Sequence, residues 1–479
     1  MRRLLVLLVL ALSAAVVVAG LLVVPRQDGT QAQEEAVVLP QSPMPGRLLV
    51  GFQDDASLRW GDDRAEMLDR AGESGASVIR TIVVWEQTAP QRPAEPADPF
   101  DPSYRLDDVD ELVRGAQEHG IELLLSIWGT PAWANGEEGP NRPPTDAGEL
   151  EAFAQALADR YSGRHPGFPA VRLFSAWNEP NLEQFLAPQF DAEGRSVAPA
   201  LYAPIARAIY DGVKRGNPDA LVAIGETSPR GRDLPSPGTV QDSHSPARFA
   251  RLLAEERPRV RFDAWAQHPY PPRTNVGPDA AVRWPRVGLG NLERFGESID
   301  AWFGRLEVPL WVTEYAHETR PGNAVGIAPE LQAVFAAQAL EVAAANPRVR
   351  VFVWFTLRDS PQNPWRSGVL EEDSTPKPAF ASFGARAREL DGRDPVIPAD
   401  AALARIPVLE LARYTTRGEP IEVRLEGVTP FSVPLRDDGW VDVPVEGVRS
   451  TTSSVRAIDA HGHSVHRTLT FEEGSVELN

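Results

Sequence analysis

Two glutamates occupy settings that can do chemistry: Glu179 in Ala-Trp-Asn-Glu-Pro-Asn and Glu314 in Trp-Val-Thr-Glu-Tyr. Each closes a short apolar run of the kind that forms a buried parallel strand. A carboxyl group at the carboxyl end of such a strand faces the mouth of a barrel, if the strands close into one. Two carboxyls brought there by different strands are what cleavage of a glycosidic bond requires. One protonates the leaving oxygen, and the other attacks or stabilises the anomeric centre. For either residue the alternative is a buried carboxyl held in hydrogen bonds or a salt bridge.

For these side chains to meet, the chain must repeat a strand–helix unit. Between residues 46 and 392 short apolar runs alternate with amphipathic stretches. Strands are predicted to start at Leu48, Ser77, Ile121, Val171, Leu221, Phe262, Leu310 and Val349. Helices are predicted between them, for example over Leu106 to His119, Glu149 to Tyr161 and Pro329 to Ala345. Gly75 and Gly120 stand just before strands, where a glycine ends a helix. Eight repeats make the fold class α/β, a (β/α)8 TIM barrel. An open doubly wound sheet fits less well, because no glycine-rich phosphate loop follows the first strand. Residues 396–479 change character: short alternating runs (Ile421 to Leu425, Val441 to Val445, Ser454 to Ile458) are separated by turn residues. They predict a small C-terminal antiparallel β-sandwich, immunoglobulin-like, with a structural rather than sugar-binding role.

Side chains just past the strand ends of a barrel share one mouth. Here they are Arg80, Trp85, Trp128, Trp133, Asn178, Glu179, His268, Tyr270, Glu314, Tyr315, Trp354 and Arg358. Aromatic rings suit sugars, whose C–H faces pack on them while hydroxyls seek hydrogen bonds. Any one of these tryptophans, taken singly, belongs more often to a core. Glu86, Glu226 and Glu318 also stand near strand ends but lack a comparable context. They are expected at the rim or as supports behind the site.

Read in order, the motifs resemble those of the retaining glycoside hydrolases of clan A, most of all families five and thirty-nine. Trp177-Asn178-Glu179-Pro180-Asn181 after the fourth strand is similar to that clan's acid/base motif, and Thr313-Glu314-Tyr315 after the seventh to its nucleophile motif. Arg80 on the second strand, Gly129-Thr130-Pro131-Ala132-Trp133 after the third, His268-Pro269-Tyr270 after the sixth and Trp354 on the eighth complete the set. The resemblance spans the whole barrel. It implies a retaining β-glycosidase working by double displacement, with Glu314 as nucleophile and Glu179 as acid/base. It implies further that Arg80, Trp128, Trp133, Asn178, His268, Tyr270 and Trp354 bind substrate, with Arg80 and Tyr270 keeping Glu314 ionised and Asn178 meeting the sugar 2-hydroxyl. No metal or cofactor is implied. A cell-surface transglycosylase and a non-catalytic carbohydrate-binding barrel are the rival readings, and the second has no need of both glutamates.

Composition narrows the partners. A net charge of -19 over 479 residues leaves no basic stripe for nucleic acid; the partner that the glycosidase resemblance implies is an oligo- or polysaccharide. There is no cysteine, which removes disulfides and thiolate metal sites. Residues 1–25 join Met-Arg-Arg to an apolar run from Leu4 to Val24, an export signal or retained membrane anchor that places the rest outside the cytoplasm. Residues 26–45 read as a flexible linker. Lysine is nearly absent (Lys214 and Lys377), and arginines recur in the presumed mouth loops: Arg230, Arg232, Arg273, Arg320, Arg358 and Arg366. Arginine forks suit carboxylates, which raises an acidic glycan as substrate. Pairing of these arginines with the chain's own many acids is the simpler expectation.

Overall fold

The computed structural model describes residues 48–391 apart from 237, 239 and 240, and beyond them strands between 397 and 478 with a few flanking residues. The expected leader (1–25) and linker (26–45) lie outside the described residues. Among the described residues no helix is long and apolar enough to cross a membrane.

Eight parallel strands pair in sequence order and close: β1 (Leu49–Gln53), β2 (Val78–Val84), β3 (Glu122–Trp128), β4 (Leu173–Ala176), β5 (Leu221–Thr227), β6 (Ala264–Gln267), β7 (Leu310–Tyr315) and β8 (Val349–Trp354). The last returns to the first, with Leu49 opposite Val351. One long helix follows each strand: α1 (Arg64–Glu73), α2 (Asp107–Glu118), α3 (Ala147–Arg160), α4 (Ala198–Gly216), α5 (Pro246–Glu255), α6 (Leu292–Phe303), α7 (Pro329–Ala345) and α8 (Pro378–Asp391). This is the TIM barrel that the apolar periodicity predicts. Gly75 and Gly120 take φ values of 75° and 63° just past α1 and α2, the left-handed conformation a Cβ disfavours.

Strand periodicity sorts the side chains into two cores. Leu49, Val78, Leu124, Leu173, Leu221, Ala264, Trp311 and Val351 form one cluster inside the barrel, joined by Ala223, Ala266 and Val353. Their neighbours in sequence, such as Val50, Ile79, Leu123, Leu125, Phe174 and Phe352, belong to the larger cluster under the helices. Close helix packing is set by two glycines one turn apart on α4. A Cβ at Gly212 would lie 2.2 Å from the Glu151 carbonyl oxygen of α3, and one at Gly216 2.3 Å from that of Gln155.

Beyond the barrel every strand pairing is antiparallel, as expected. A six-stranded sheet runs in the order β12 (Phe431–Pro434), β11 (Pro420–Leu425), β14 (Thr452–Ile458), β15 (Ser464–Glu472), β16 (Ser475–Leu478), β9 (Ile397–Pro398). A separate two-stranded sheet joins β10 (Leu403–Pro407) to β13 (Trp440–Pro444). Alternate residues Ile421, Val423, Val455 and Ala457 are buried, with Val423 opposite Ala457, so one face of β11 and β14 is covered.

Candidate active site

Above the apolar plug the inward positions turn polar. Gln53 ends β1, Arg80 lies two residues after Val78 on β2, and Ser126 and Ser175 follow Leu124 and Leu173 on β3 and β4. All four are buried. Buried polar groups need partners, and here they find one another. Arg80 is the hub. Its Nε donates to Ser126 Oγ at 2.8 Å, one terminal nitrogen to Gln53 and to Glu314 Oε1 (2.7 Å), and the other to Asn178 Oδ1 (2.9 Å) and, as an ion pair, to Glu226 Oε1 (2.8 Å). Burial works against a charge on Arg80, but Glu226 and Glu314 outweigh it and hold the guanidinium protonated.

Strict alternation does not bring the glutamates inward. On β7, Trp311 points inside, so Thr313 should follow it and Glu314 should face the helices. The β7–β8 register instead shifts between Val312 and Tyr315, and this irregularity turns Glu314 into the mouth, a known use of bulges. On β5 a second shift, between Gly225 and Thr227, does the same for Glu226, whose φ is 45°. After β4 the chain bends through Trp177 (φ 74°) and Glu179 (φ 39°). Left-handed backbone at residues other than glycine costs roughly 1–3 kcal/mol each and gathers at functional sites. The Glu179 amide donates to the Glu226 carbonyl at 3.0 Å, which pins the bend.

The two carboxyls meet at one imidazole. His268 Nδ1 is 3.0 Å from Glu179 Oε1 and 3.6 Å from Glu314 Oε2, and its Nε2 is 3.9 Å from Glu226 Oε1. Burial alone would push His268 down, but the charge of Glu314 and the contacts with Glu179 and Glu226 raise it from 6.5 to about 9. It is therefore an imidazolium at neutral pH. Glu226 is fully buried; burial favours its neutral form, yet Arg80 and His268 hold it below the usual carboxylate range. Tyr270 donates its hydroxyl to Glu314 Oε2 at 2.9 Å, and burial followed by the Glu314 charge pushes its ionisation well above 10. Glu314 thus receives a donor on each oxygen. Both glutamate side chains keep an opening to solvent, 15% for Glu179 and 13% for Glu314.

The remaining expected residues divide. Asn178 is buried with its oxygen taken by Arg80, which leaves its amide nitrogen as the group free to donate toward the cleft. Trp128 and Trp133 are half-buried at the mouth; their indole N–H groups bond the carbonyls of Phe185 (3.2 Å) and Ala89 (2.7 Å), and Arg92 lies over the Trp133 ring. Arg80 and His268 are closed to solvent and act on the carboxyls. Trp354 does not line the cleft. It is fully buried, stands with Phe352 in the outer core, and bonds the Ser367 carbonyl at 2.8 Å. The inward residue at the end of β8 is Phe355, two after Val353, and it is half-exposed. Trp85 and Tyr315 are likewise core residues, and Arg358 is spent on Asp63.

Two features escape sequence reasoning. Glu226 supports the site from behind, as expected of it, but nothing in the sequence marks it as the centre of a charge network. Trp365, in the loop after β8, is 39% exposed and stacks on Tyr270 with ring centroids 5.4 Å apart, edge-on to Phe355 at 6.0 Å. Its only signal in the sequence is an aromatic within a polar loop.

Residues 44–355 match the model of the cellulase family, glycosyl hydrolase family 5. Among solved structures the chain is similar to a family 39 glycoside hydrolase from Bacteroides cellulosilyticus WH2, at 18% identity and TM-score 0.53, covering 92% of this chain and 81% of that one. It is also similar to a glucosidase from Croceicoccus marinus (15%, TM-score 0.53, 91% and 96% covered) and to GH5_18 from Streptomyces cattleya (18%, TM-score 0.50, 73% and 82%). At these identities the structures speak for a common fold. A search of curated proteins gives no match. The chain belongs to the cellulase family, glycosyl hydrolase family 5, and is a clan A glycoside hydrolase.

Proposed function

We propose that the protein is a retaining β-glycosidase that hydrolyses an oligo- or polysaccharide outside the cytoplasm. One observation carries the retaining assignment: Glu179 and Glu314 share His268 Nδ1 at 3.0 and 3.6 Å. The two oxygens are no further apart than those legs laid end to end. That closeness suits the roughly 5–5.5 Å spacing of a retaining pair, in which one carboxylate reaches the anomeric carbon itself.

Motif and contacts assign the roles. Glu179, in the Trp-Asn-Glu-Pro segment after β4, is the acid; His268 engages its Oε1 and leaves Oε2 to carry the proton to the leaving oxygen. Glu314, oriented by Arg80 and Tyr270, is the nucleophile. It forms a bond to the anomeric carbon as the leaving oxygen departs with the Glu179 proton. Esterification removes the Glu314 charge, so Glu179 can then remain ionised beside His268 and take a proton from the attacking water. That water displaces Glu314 and restores the starting charges. The location outside the cytoplasm rests on the basic and apolar start of the sequence alone.

Proton NMR of the first-formed product from an aryl β-glycoside tests the reading. Retention with the β-anomer appearing first is expected, and kcat should fall by about 10²-fold or more in Glu314→Gln while substrate still binds. An α-anomer as first product would end the proposal.

A further inference from the structure

Arginines without an acidic partner gather on three adjoining loops of the mouth. Arg230 and Arg232 follow β5, Arg273, Arg283 and Arg286 follow β6, and Arg320 follows β7; all are exposed. Among the described residues none of their side chains makes an ion pair or hydrogen bond. Several exposed arginines elsewhere on the barrel find acids (Arg92 with Glu149, Arg172 with Glu122, Arg195 with Asp191, Arg261 with Asp211), and those that do not, such as Arg105 and Arg114, stand apart rather than on adjoining loops of the mouth. Acids outnumber basic residues 67 to 48 in this chain, so counter-charge is not scarce. The acids within the same loops are mostly engaged otherwise. Asp233 accepts from the Ser245 amide (2.8 Å) and hydroxyl (2.7 Å), Asp242 from the Ser236 amide, and Glu318 from Asn323 (2.7 Å).

The loops are laced to one another and to the site. The Val287 amide donates to the Pro229 carbonyl at 3.0 Å, Thr274 Oγ1 to the Glu318 carbonyl at 3.2 Å, and the Glu318 amide back to Thr274 Oγ1 at 3.1 Å. Each loop also starts from a member of the charge network: Glu226, His268 with Tyr270, and Glu314. One flank of the mouth therefore carries six exposed guanidinium groups with no acidic partner among the described residues. Such forks bind carboxylates or sulfates through paired N–H donors, and their summed field concentrates anions at the cleft. We propose that this flank recognises an anionic glycan, with uronic acid carboxylates on sugars beside the bond that is cut. The inference names the substrate class and rests on the glycosidase reading of the cleft.

The test is binding by the full chain carrying Glu314→Gln, so that turnover does not interfere. Calorimetry would compare cello-oligosaccharides, the same oligosaccharides oxidised at C6 to glucuronates, and a third set sulfated at C6, at low and high ionic strength. The oxidised set should bind at least about tenfold more tightly than the neutral one at low salt. High salt and a combined Arg232→Gln, Arg273→Gln, Arg320→Gln variant should remove that preference, while Arg114→Gln on α2 should keep it. Equal affinity for neutral and oxidised sets, or a preference that survives the rim substitutions, would overturn the proposal. Tight binding of the sulfated set alone would keep the anionic rim and replace carboxylate by sulfate ester. If Glu314→Gln holds the anionic set while the unaltered protein cleaves no glycoside, the glycosidase reading fails and the rim stands.

Discussion

His268 Nδ1 stands 3.0 Å from Glu179 Oε1, and the same ring closes the gap to Glu314 and Glu226. The imidazolium is what lets three carboxyls share a closed space. Its pKa is raised from 6.5 to about 9, so the folded protein binds a proton there that the unfolded chain has lost. The stabilisation is complete below pH 6.5 and disappears as pH rises through about 9. The denaturation midpoint should fall across that window, and His268→Asn should flatten the fall. The kcat/KM profile should carry a basic limb near pH 9 that His268→Asn removes. A limb unchanged in that variant would assign it to another group.

Glu226 touches no substrate in the proposed reaction, yet its replacement should be felt twice. Glu226→Gln takes an anion from between Arg80 (2.8 Å) and His268 (3.9 Å). Breaking a buried ion pair from one side costs about 3–5 kcal/mol, which urea denaturation would read. With one raising influence gone, His268 should also lose its proton at lower pH, so the basic limb should move toward neutrality. A merely structural glutamate would change the midpoint and leave the limb in place.

Removal of Glu179 should divide the two half-reactions. In Glu179→Ala an aryl β-glycoside with a good leaving group can still esterify Glu314, but no base remains to activate water. Turnover should fall by about 10²–10⁴-fold. Azide needs no base, so adding it should restore much of the rate and yield a β-glycosyl azide, identified by NMR. Rescue that gave an α-azide, or no azide adduct, would contradict the acid/base role.

Much of this site could be read before any coordinates. The strand-end motifs carry Glu179, Glu314, Arg80, His268 and Tyr270, because a parallel barrel sends every strand end to one mouth and leaves little freedom in where those groups go. The failures come from rules finer than a strand end. Trp354 misses the cleft by one residue of parity: Val351 and Val353 point inward, so position 354 faces the helices and Phe355 the mouth. Glu226 and Glu314 break that same parity through register shifts, which depend on pairing between distant strands and leave no local trace. Of the six mouth arginines expected to pair with the chain's own acids, Arg358 does so with Asp63 on α1's cap and Arg366 lies 3.7 Å from Glu372, whereas Arg230, Arg232, Arg273 and Arg320 find none among the described residues. Ion pairing across the fold is not written in spacing.

The parity argument predicts opposite phenotypes for two tryptophans near the same strand. Trp354 is closed to solvent and packs on Tyr315 and Phe383, and its N–H satisfies the Ser367 carbonyl. Trp354→Ala should cost about 3–5 kcal/mol of stability, with a further penalty for the orphaned carbonyl. Activity lost in that variant should follow the folded fraction. Trp365 is open on one side and lies against Tyr270, the phenol that bonds Glu314. Its ring can stack on a sugar bound over the nucleophile, so Trp365→Ala should raise KM about two- to tenfold with little change in the denaturation midpoint. Steady-state kinetics beside thermal melts on both variants would check the division. If Trp354→Ala kept its stability and raised KM while Trp365→Ala did neither, the inward and outward faces of β8 would have to be exchanged.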